Sequence, residues 1–265
     1  MTTLGAVCLP QVPPELLRNT AAAADDAGLD ELWLWEDCFW GGAVPACAAA
    51  LAWTAGPRVG IGVLPVPLRN VVTAAMDTAM LHRLFPGRVV IGVGHGVQDW
   101  MRQVGAAAES PMTLLREYLT ALRALLAGDQ LTVDGRYVRL DGVAVEWPPP
   151  APPPVLLAAI GPRTLQLSGE VADGTILTGT DPDGVRRARD LIDEGRATAG
   201  RTDEHRLVAY KETEGRDAAA AAAGVQALAA AGAGTVVLHP SRGSAAHGDP
   251  EGFVRFTAGE VRPLL

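Results

Sequence analysis

Eight times along the chain a short run of β-branched and apolar residues is followed by a segment of helical character. No other feature constrains the fold as much. The runs are LGAVCL (4–9), ELWLW (31–35), RVGIGVL (58–64), RVVIGV (88–93), PVLLAAI (154–160), GTILTG (174–179), HRLVAY (205–210) and GTVVLH (234–239). Helix-like segments lie between and after them, near 14–27, 43–54, 70–85, 112–127, 163–171, 183–199, 216–231 and 249–259. In ELWLW, Leu32 and Leu34 point to one side and Trp33 and Trp35 to the other, so neither face is polar. Strands of that kind are parallel and covered on both faces, and strands alternating with helices form βα units. Eight units in about 250 residues match an α/β fold of the (β/α)8 TIM-barrel type, here a single domain over 1–265. An open doubly wound sheet is the alternative.

Two segments break the rhythm without ending it. LTVDGRYVRL (131–140) carries Asp134-Gly135 between two alternating runs, which predicts a β-hairpin inserted after the fourth helix. WPPPAPPPV (147–155) has the composition of a stiff polyproline linker. It falls between units rather than after a complete fold, so it reads as a loop into the fifth strand.

The composition narrows the function classes. With 48% hydrophobic and 20% charged residues in 265, the chain can bury a large core. A net charge of −8 argues against a nucleic-acid partner or an anionic membrane surface. Cys8, Cys38 and Cys47 form no C-x-x-C pair, and no Cys/His set has zinc-ligand spacing, so neither a disulfide framework nor a metal is expected. The start MTTLGAVCLPQVPPE lacks signal-peptide character, and the longest apolar run, GAVPACAAALAW, is too short to span a bilayer. A cytoplasmic location is the expectation.

A barrel places its chemistry at the C-terminal ends of its strands. Those ends read Leu9-Pro10, Glu36-Asp37-Cys38, Leu64-Pro65, Gly94-His95-Gly96, Ile160-Gly161-Pro162-Arg163-Thr164, Thr178-Gly179-Thr180, Lys211-Glu212 and His239-Pro240. Gly92-x-Gly94-x-Gly96 lacks the spacing and position of a dinucleotide fingerprint. AIGPRT (159–164) suits a phosphate better. Gly161 permits close approach, Pro162 fits the first helical position, and Arg163 and Thr164 can donate at a helix N-terminus. A plain glycine–proline helix start is the other reading. Lys211, the sole lysine, would serve a Schiff-base enzyme if it faced the site, or a salt bridge with Glu212 or Glu214.

GRVVIGVGHGVQDWMRQVG, GIGVLPVPLRNVVTAAMDTAMLHRLFPGRV and AAIGPRTLQLSGEVADGTIL occur in one order and spacing. Together they resemble the luciferase-like monooxygenase superfamily, flavin- or deazaflavin-dependent barrel enzymes. The resemblance covers residues 1 to about 240. It implies coenzyme F420 or FMN as cofactor, a small-molecule substrate and a homodimer. FMN chemistry would further imply a flavin reductase as partner.

Residue by residue, the resemblance places Gly62 and Val63 at a non-prolyl cis peptide behind the cofactor ring. It places Gly94, His95 and Gly96 beside the cofactor, and Ala159, Ile160, Gly161, Pro162, Arg163 and Thr164 around its phosphate. In LWEDCFW, Asp37 matches the aspartate of an Asp-His pair found in F420-dependent members. Cys38 replaces the histidine and Val97 an acidic residue, so the base used by the sugar-phosphate and alcohol dehydrogenases is missing there.

His95, Asp37 and Glu36 are the remaining acid–base candidates. His95 serves equally as an acid–base group or as a wall residue against the cofactor. Cys38, beside a carboxylate, reads as cofactor contact or packing rather than as a nucleophile. Trp35, Phe39 and Trp40 are candidates for the wall of an apolar substrate pocket. F420-dependent hydride transfer is the leading expectation. An FMN-dependent monooxygenase and a non-catalytic flavin-binding barrel are the alternatives.

Overall fold

The computed structural model describes residues 2–265. Its first half contains β1 (Thr3–Cys8), α1 (Leu17–Asp26), β2 (Glu31–Leu34), α2 (Ala43–Trp53), β3 (Arg58–Pro65), α3 (Val71–Leu84), β4 (Val89–Gly94), α4 (Gln98–Gln103), α5 (Pro111–Ala127) and the strands β5 (Leu131–Asp134) and β6 (Arg139–Val143). The second half contains β7 (Val155–Ala158), α6 (Pro162–Val171), β8 (Gly174–Leu177), α7 (Pro182–Thr198), β9 (Arg206–Thr213), α8 (Ala218–Ala230), β10 (Thr235–Pro240) and α9 (Pro250–Phe256). The eight strands read from the sequence close into one all-parallel barrel in the order β1-β10-β9-β8-β7-β4-β3-β2. The open-sheet alternative is excluded by the closing ladder of Thr3 to Thr235 through Ala6 to Leu238.

The expected hairpin is present as the antiparallel pair β5–β6. It follows the long helix of the fourth unit, with α4 as an extra short helix before that one. Its loop is the four-residue stretch 135–138 rather than a two-residue turn. Glu117 on α5 organises it, accepting hydrogen bonds from the amides of Arg136 (3.0 Å), Tyr137 (2.8 Å) and Val138 (3.0 Å).

The barrel interior is a distinct apolar cluster that includes Val7, Trp33, Val90, Leu156, Ile176, Val208, Tyr210 and Val237. Trp33 is fully buried and takes the central space. Glycines on neighbouring strands make room for its indole. A Cβ on Gly60 would fall 2.5 Å from Trp33 Cδ2, and one on Gly5 would fall 3.0 Å from Cδ1. Above Trp33 the aromatic packing continues upward. Tyr210 meets it edge-on at 5.8 Å, Trp35 lies 5.4 Å from Tyr210, and His239 lies 5.2 Å from Trp35. This column is the floor on which the upper face of the barrel is built.

The lower end is closed by charge. Glu31 is fully buried and receives Arg58 at 2.7 Å, Arg206 at 2.5 Å and the Trp33 indole N–H at 2.9 Å. A buried carboxylate is tolerable only with partners of this kind. Outside the barrel, α6 and α7 cross at glycines. A Cβ on Gly169 would fall 2.1 Å from the Ile192 carbonyl oxygen, and one on Gly195 would fall 2.0 Å from that of Gln166.

Candidate active site

A cleft of about 510 Å³ opens at the C-terminal ends of the strands, within the size range of small-molecule sites. Its base is the turn of β3. The β3–β4 ladder passes from Ile61↔Ile91 to Leu64↔Val93, so β3 carries one extra residue there. Bulges of this kind concentrate beside active sites. The peptide Gly62–Val63 within this bulge is cis, as is Cys38–Phe39. The Tyr210 hydroxyl donates to the Gly62 carbonyl at 3.3 Å, which ties the turn to the aromatic column.

Gly94 and Gly96 line the same cleft from the adjoining strand end, with Gly94 paired to Pro65 in the β3–β4 ladder. A Cβ on Gly94 would fall 3.0 Å from Val63 Cγ2, so only glycine leaves the surface flat. Gly96 adopts φ +67°, a left-handed conformation that glycine takes without penalty. Between them His95 is half-buried, and its Nδ1 is buried without a hydrogen-bond partner. Burial lowers the His95 pKa below its usual value, so the imidazole is neutral at neutral pH. A neutral ring with an unpaired nitrogen is equipped to bond to a ligand.

Glu36 and Asp37 stand side by side at the rim with different surroundings. Glu36 is held by both guanidinium nitrogens of Arg69, one at 2.8 Å, and accepts from the Ala43 amide at 2.8 Å. Its carboxylate therefore fixes the first turn of α2 to Arg69, 33 residues further along the chain. Asp37 has a lighter set of partners. Burial raises its pKa, and the Gln11 amide, donating at 3.3 Å, partly offsets the rise. Cys38 is half-exposed, and burial followed by the Glu36 and Asp37 carboxylates raises its thiol pKa. That environment is unsuited to a reactive thiolate.

The structure brings Trp35, Glu36, Asp37, Gly62, Val63, Gly94, His95, Gly96, Ile160, Gly161 and Thr164 into one cleft. Ala159 is buried in the core between barrel and helices and does not line the cleft; its amide donates to the Ile176 carbonyl at 3.1 Å. Pro162 and Arg163 are exposed at the start of α6, where Arg163 makes no ion pair among the described residues. Phe39 is 63% exposed and lines no wall of the cleft. Trp40 lines a separate chamber that shares Trp35 with it.

Sequence reasoning placed Lys211 at this end of the barrel, but the strand register turns it outward. Tyr210 points in, and Lys211 packs over α8, where a Cβ on Gly224 would fall 3.0 Å from its Cε. A Schiff-base role at this cleft is thereby ruled out. Pro65, expected at this end of the barrel, also lines the cleft, whereas Ala158, Tyr210 and Trp100 are wall residues that the sequence reading did not assign to the site. Tyr210 lies on a strand the sequence located, but its inward parity is set only when the barrel closes. The short helix carrying Trp100 had no signal in the sequence.

Among the described residues no group of three or more His, Cys, Asp or Glu side chains is placed to hold a metal ion. No described helix is long and apolar enough to cross a membrane.

Comparison with known proteins agrees with this architecture. The chain is 30% identical over 200 residues to 5,10-methylenetetrahydromethanopterin reductase of Methanolobus tindarius, covering 75% of this chain and 61% of the relative. It is 34% identical over 182 residues to F420-dependent glucose-6-phosphate dehydrogenase of Beutenbergia cavernae, covering 63% and 53%. The chain thus spans little more than half the length of these curated relatives. The solved structure of the coenzyme F420-dependent tetrahydromethanopterin reductase from Methanopyrus kandleri has the same fold. Its TM-score is 0.82 at 20% identity, with 99% of both chains covered. Residues 2–252 match the family described as luciferase-like monooxygenase, and the chain belongs to that family.

Proposed function

We propose that the protein is an oxidoreductase that uses coenzyme F420 to exchange a hydride with a small organic molecule. The carrying observation is the cleft lined by the Gly62–Val63 turn and the adjoining Gly94-His95-Gly96, with the buried, unpaired Nδ1 of His95 at its side. The relatives named for F420 dependence support the choice of deazaflavin over FMN.

The residues fit a large planar cofactor with an anionic tail. Gly62 and Gly94 line the cleft without side chains of their own, and the Val63 side chain packs against the barrel-interior cluster, which leaves a surface on which a ring can rest. Ile160, Gly161 and Thr164 mark the cleft's exit towards α6, whose N-terminal amides together with Arg163 suit a phosphate. When bound, F420 supplies a carbon that donates or accepts hydride, and the protein supplies orientation and electrostatics. Neutral His95 is placed to hydrogen-bond to cofactor or substrate. Asp37, with its raised pKa, is the group best suited to hold a proton at the rim. Glu36, locked on Arg69, positions the rim rather than exchanging protons.

Gly94→Val tests the location. A branched side chain there would project from a Cβ already in contact with Val63 and fill the cleft. F420 affinity should fall at least about tenfold while circular dichroism stays native. Unchanged affinity would place the cofactor elsewhere.

We also propose a homodimer. Met76, Met80 and Leu84 repeat every fourth residue on one face of α3, and each is at least 59% exposed. Such a stripe is an interaction surface when left uncovered. Met80→Glu should convert the dimer to a monomer in light scattering. A wild type that is monomeric at micromolar concentration would contradict the assignment.

A further inference from the structure

Beside the cleft lies a second chamber of about 420 Å³, between the loop after β1 and the start of α2. None of its lining residues carries a charge. Leu9, Val12, Leu17, Leu34, Trp40 and Ala46 supply most of an apolar wall. Trp35 belongs to both spaces, and the Gln11–Asp37 hydrogen bond runs between them, with Gln11 on the chamber side and Asp37 on the cleft side.

Gln11 and the Trp35 indole N–H, which is buried without a partner, are the polar side-chain features of this wall. An ionised carboxylate only accepts, so Asp37 in that state fixes the amide with its nitrogen towards the cleft. The opposite atom, Gln11 Oε1, is buried and has no partner. A buried acceptor without a donor is costly unless a ligand or water supplies one. The chamber thus combines one fixed acceptor and one indole N–H with otherwise apolar surroundings.

None of the chamber's lining residues is a cation that would help an anionic ligand. Arg69 is committed to Glu36 through both of its terminal nitrogens. With Glu36 neutralised by Arg69, Asp37 is the carboxylate of the cleft left without an ion pair among the described residues, and it stands beside Gln11, where it disfavours an anion.

We propose that this chamber is the substrate pocket and that it takes an uncharged, largely apolar molecule bearing a hydroxyl or N–H that donates to Gln11 Oε1. The proposal rests on the cofactor reading of the cleft and adds the substrate class to it. It sets this chain apart from relatives named for a sugar phosphate.

The test uses cyclohexanol, methylcyclohexane and glucose 6-phosphate as probes. Binding is followed by tryptophan fluorescence and saturation-transfer NMR, with F420 affinity measured on every variant. Cyclohexanol should bind the wild type. Ala46→Phe and, independently on the loop, Val12→Phe should each weaken that binding at least about tenfold by filling the chamber. Gln11→Leu should weaken cyclohexanol about three- to tenfold, the worth of one hydrogen bond, and leave methylcyclohexane unaffected. Glucose 6-phosphate should not displace cyclohexanol. Cyclohexanol binding that survives both filled variants, no binding to the wild type, or displacement by glucose 6-phosphate would each overturn the proposal. Loss of cyclohexanol on filling in a protein that binds no F420 would uphold the chamber and remove only the cofactor reading.

Discussion

Gly62→Ala is expected to cost at least about 3 kcal/mol of stability and to lower Tm by roughly 6–12 °C. The added Cβ would fall 1.8 Å from the Tyr210 hydroxyl oxygen and 2.9 Å from Trp33 Cε3. Neither ring can withdraw easily. Trp33 is fully buried, Tyr210 is 3% exposed, and Tyr210 is flanked by Trp33 and Trp35. Close-packed interiors transmit such an insertion rather than absorb it. The clash is chiefly with one oxygen, so Tyr210→Phe in the same chain should recover part of the loss. The double variant should therefore be more stable than the sum of the two single losses, a non-additivity expected of residues in contact. Thermal and chemical denaturation of the four proteins in this cycle measures it. A Gly62→Ala protein as stable as the wild type would show that the column is not packed as described.

Glu31→Gln is expected to cost about 3 kcal/mol at neutral pH. The substitution keeps the volume but removes the charge against which Arg58 and Arg206 are set. Breaking a buried pair from one side typically costs about 3–5 kcal/mol, because the partner is left uncompensated. Arg58, 41% exposed, can turn towards water and relieve some of this. Arg206 is 21% exposed and is also held by Thr235 Oγ1 at 3.0 Å, so it bears most of the loss. A denaturation midpoint within about 0.5 kcal/mol of wild type would mean that the ion pairs at the barrel floor carry no net stability.

The two ends of the barrel were unequally legible from sequence. Parallel strands buried on both faces leave unbroken apolar runs, and all eight were readable for that reason. Which parity points inward depends on closure, which no single strand records. Lys211 therefore looked available until the register of β9 turned it towards α8. The glycines of GRVVIGVGHG were visible as sites of close approach. What they approach is specific to each. Gly92 makes room for Ile176, Gly94 keeps the cleft flat against Val63, and Gly96 supplies a left-handed turn.

Pairings distant in sequence were the least legible. Glu36 was an open acid candidate because nothing in LWEDCFW points to Arg69, which arrives from the loop after β3. The Gln11–Asp37 bond joins two different units in the same way. Aromatic residues at the end of β2 were recognised as walls, but the fold divides them. Trp35 serves both spaces, Trp40 roofs the second chamber, and Phe39 faces solvent.

An anaerobic fluorescence titration of the purified protein with F420 and with FMN tests the central claim most directly. The account predicts saturable F420 binding at least about tenfold tighter than FMN. A preference for FMN, or binding of neither, would contradict it.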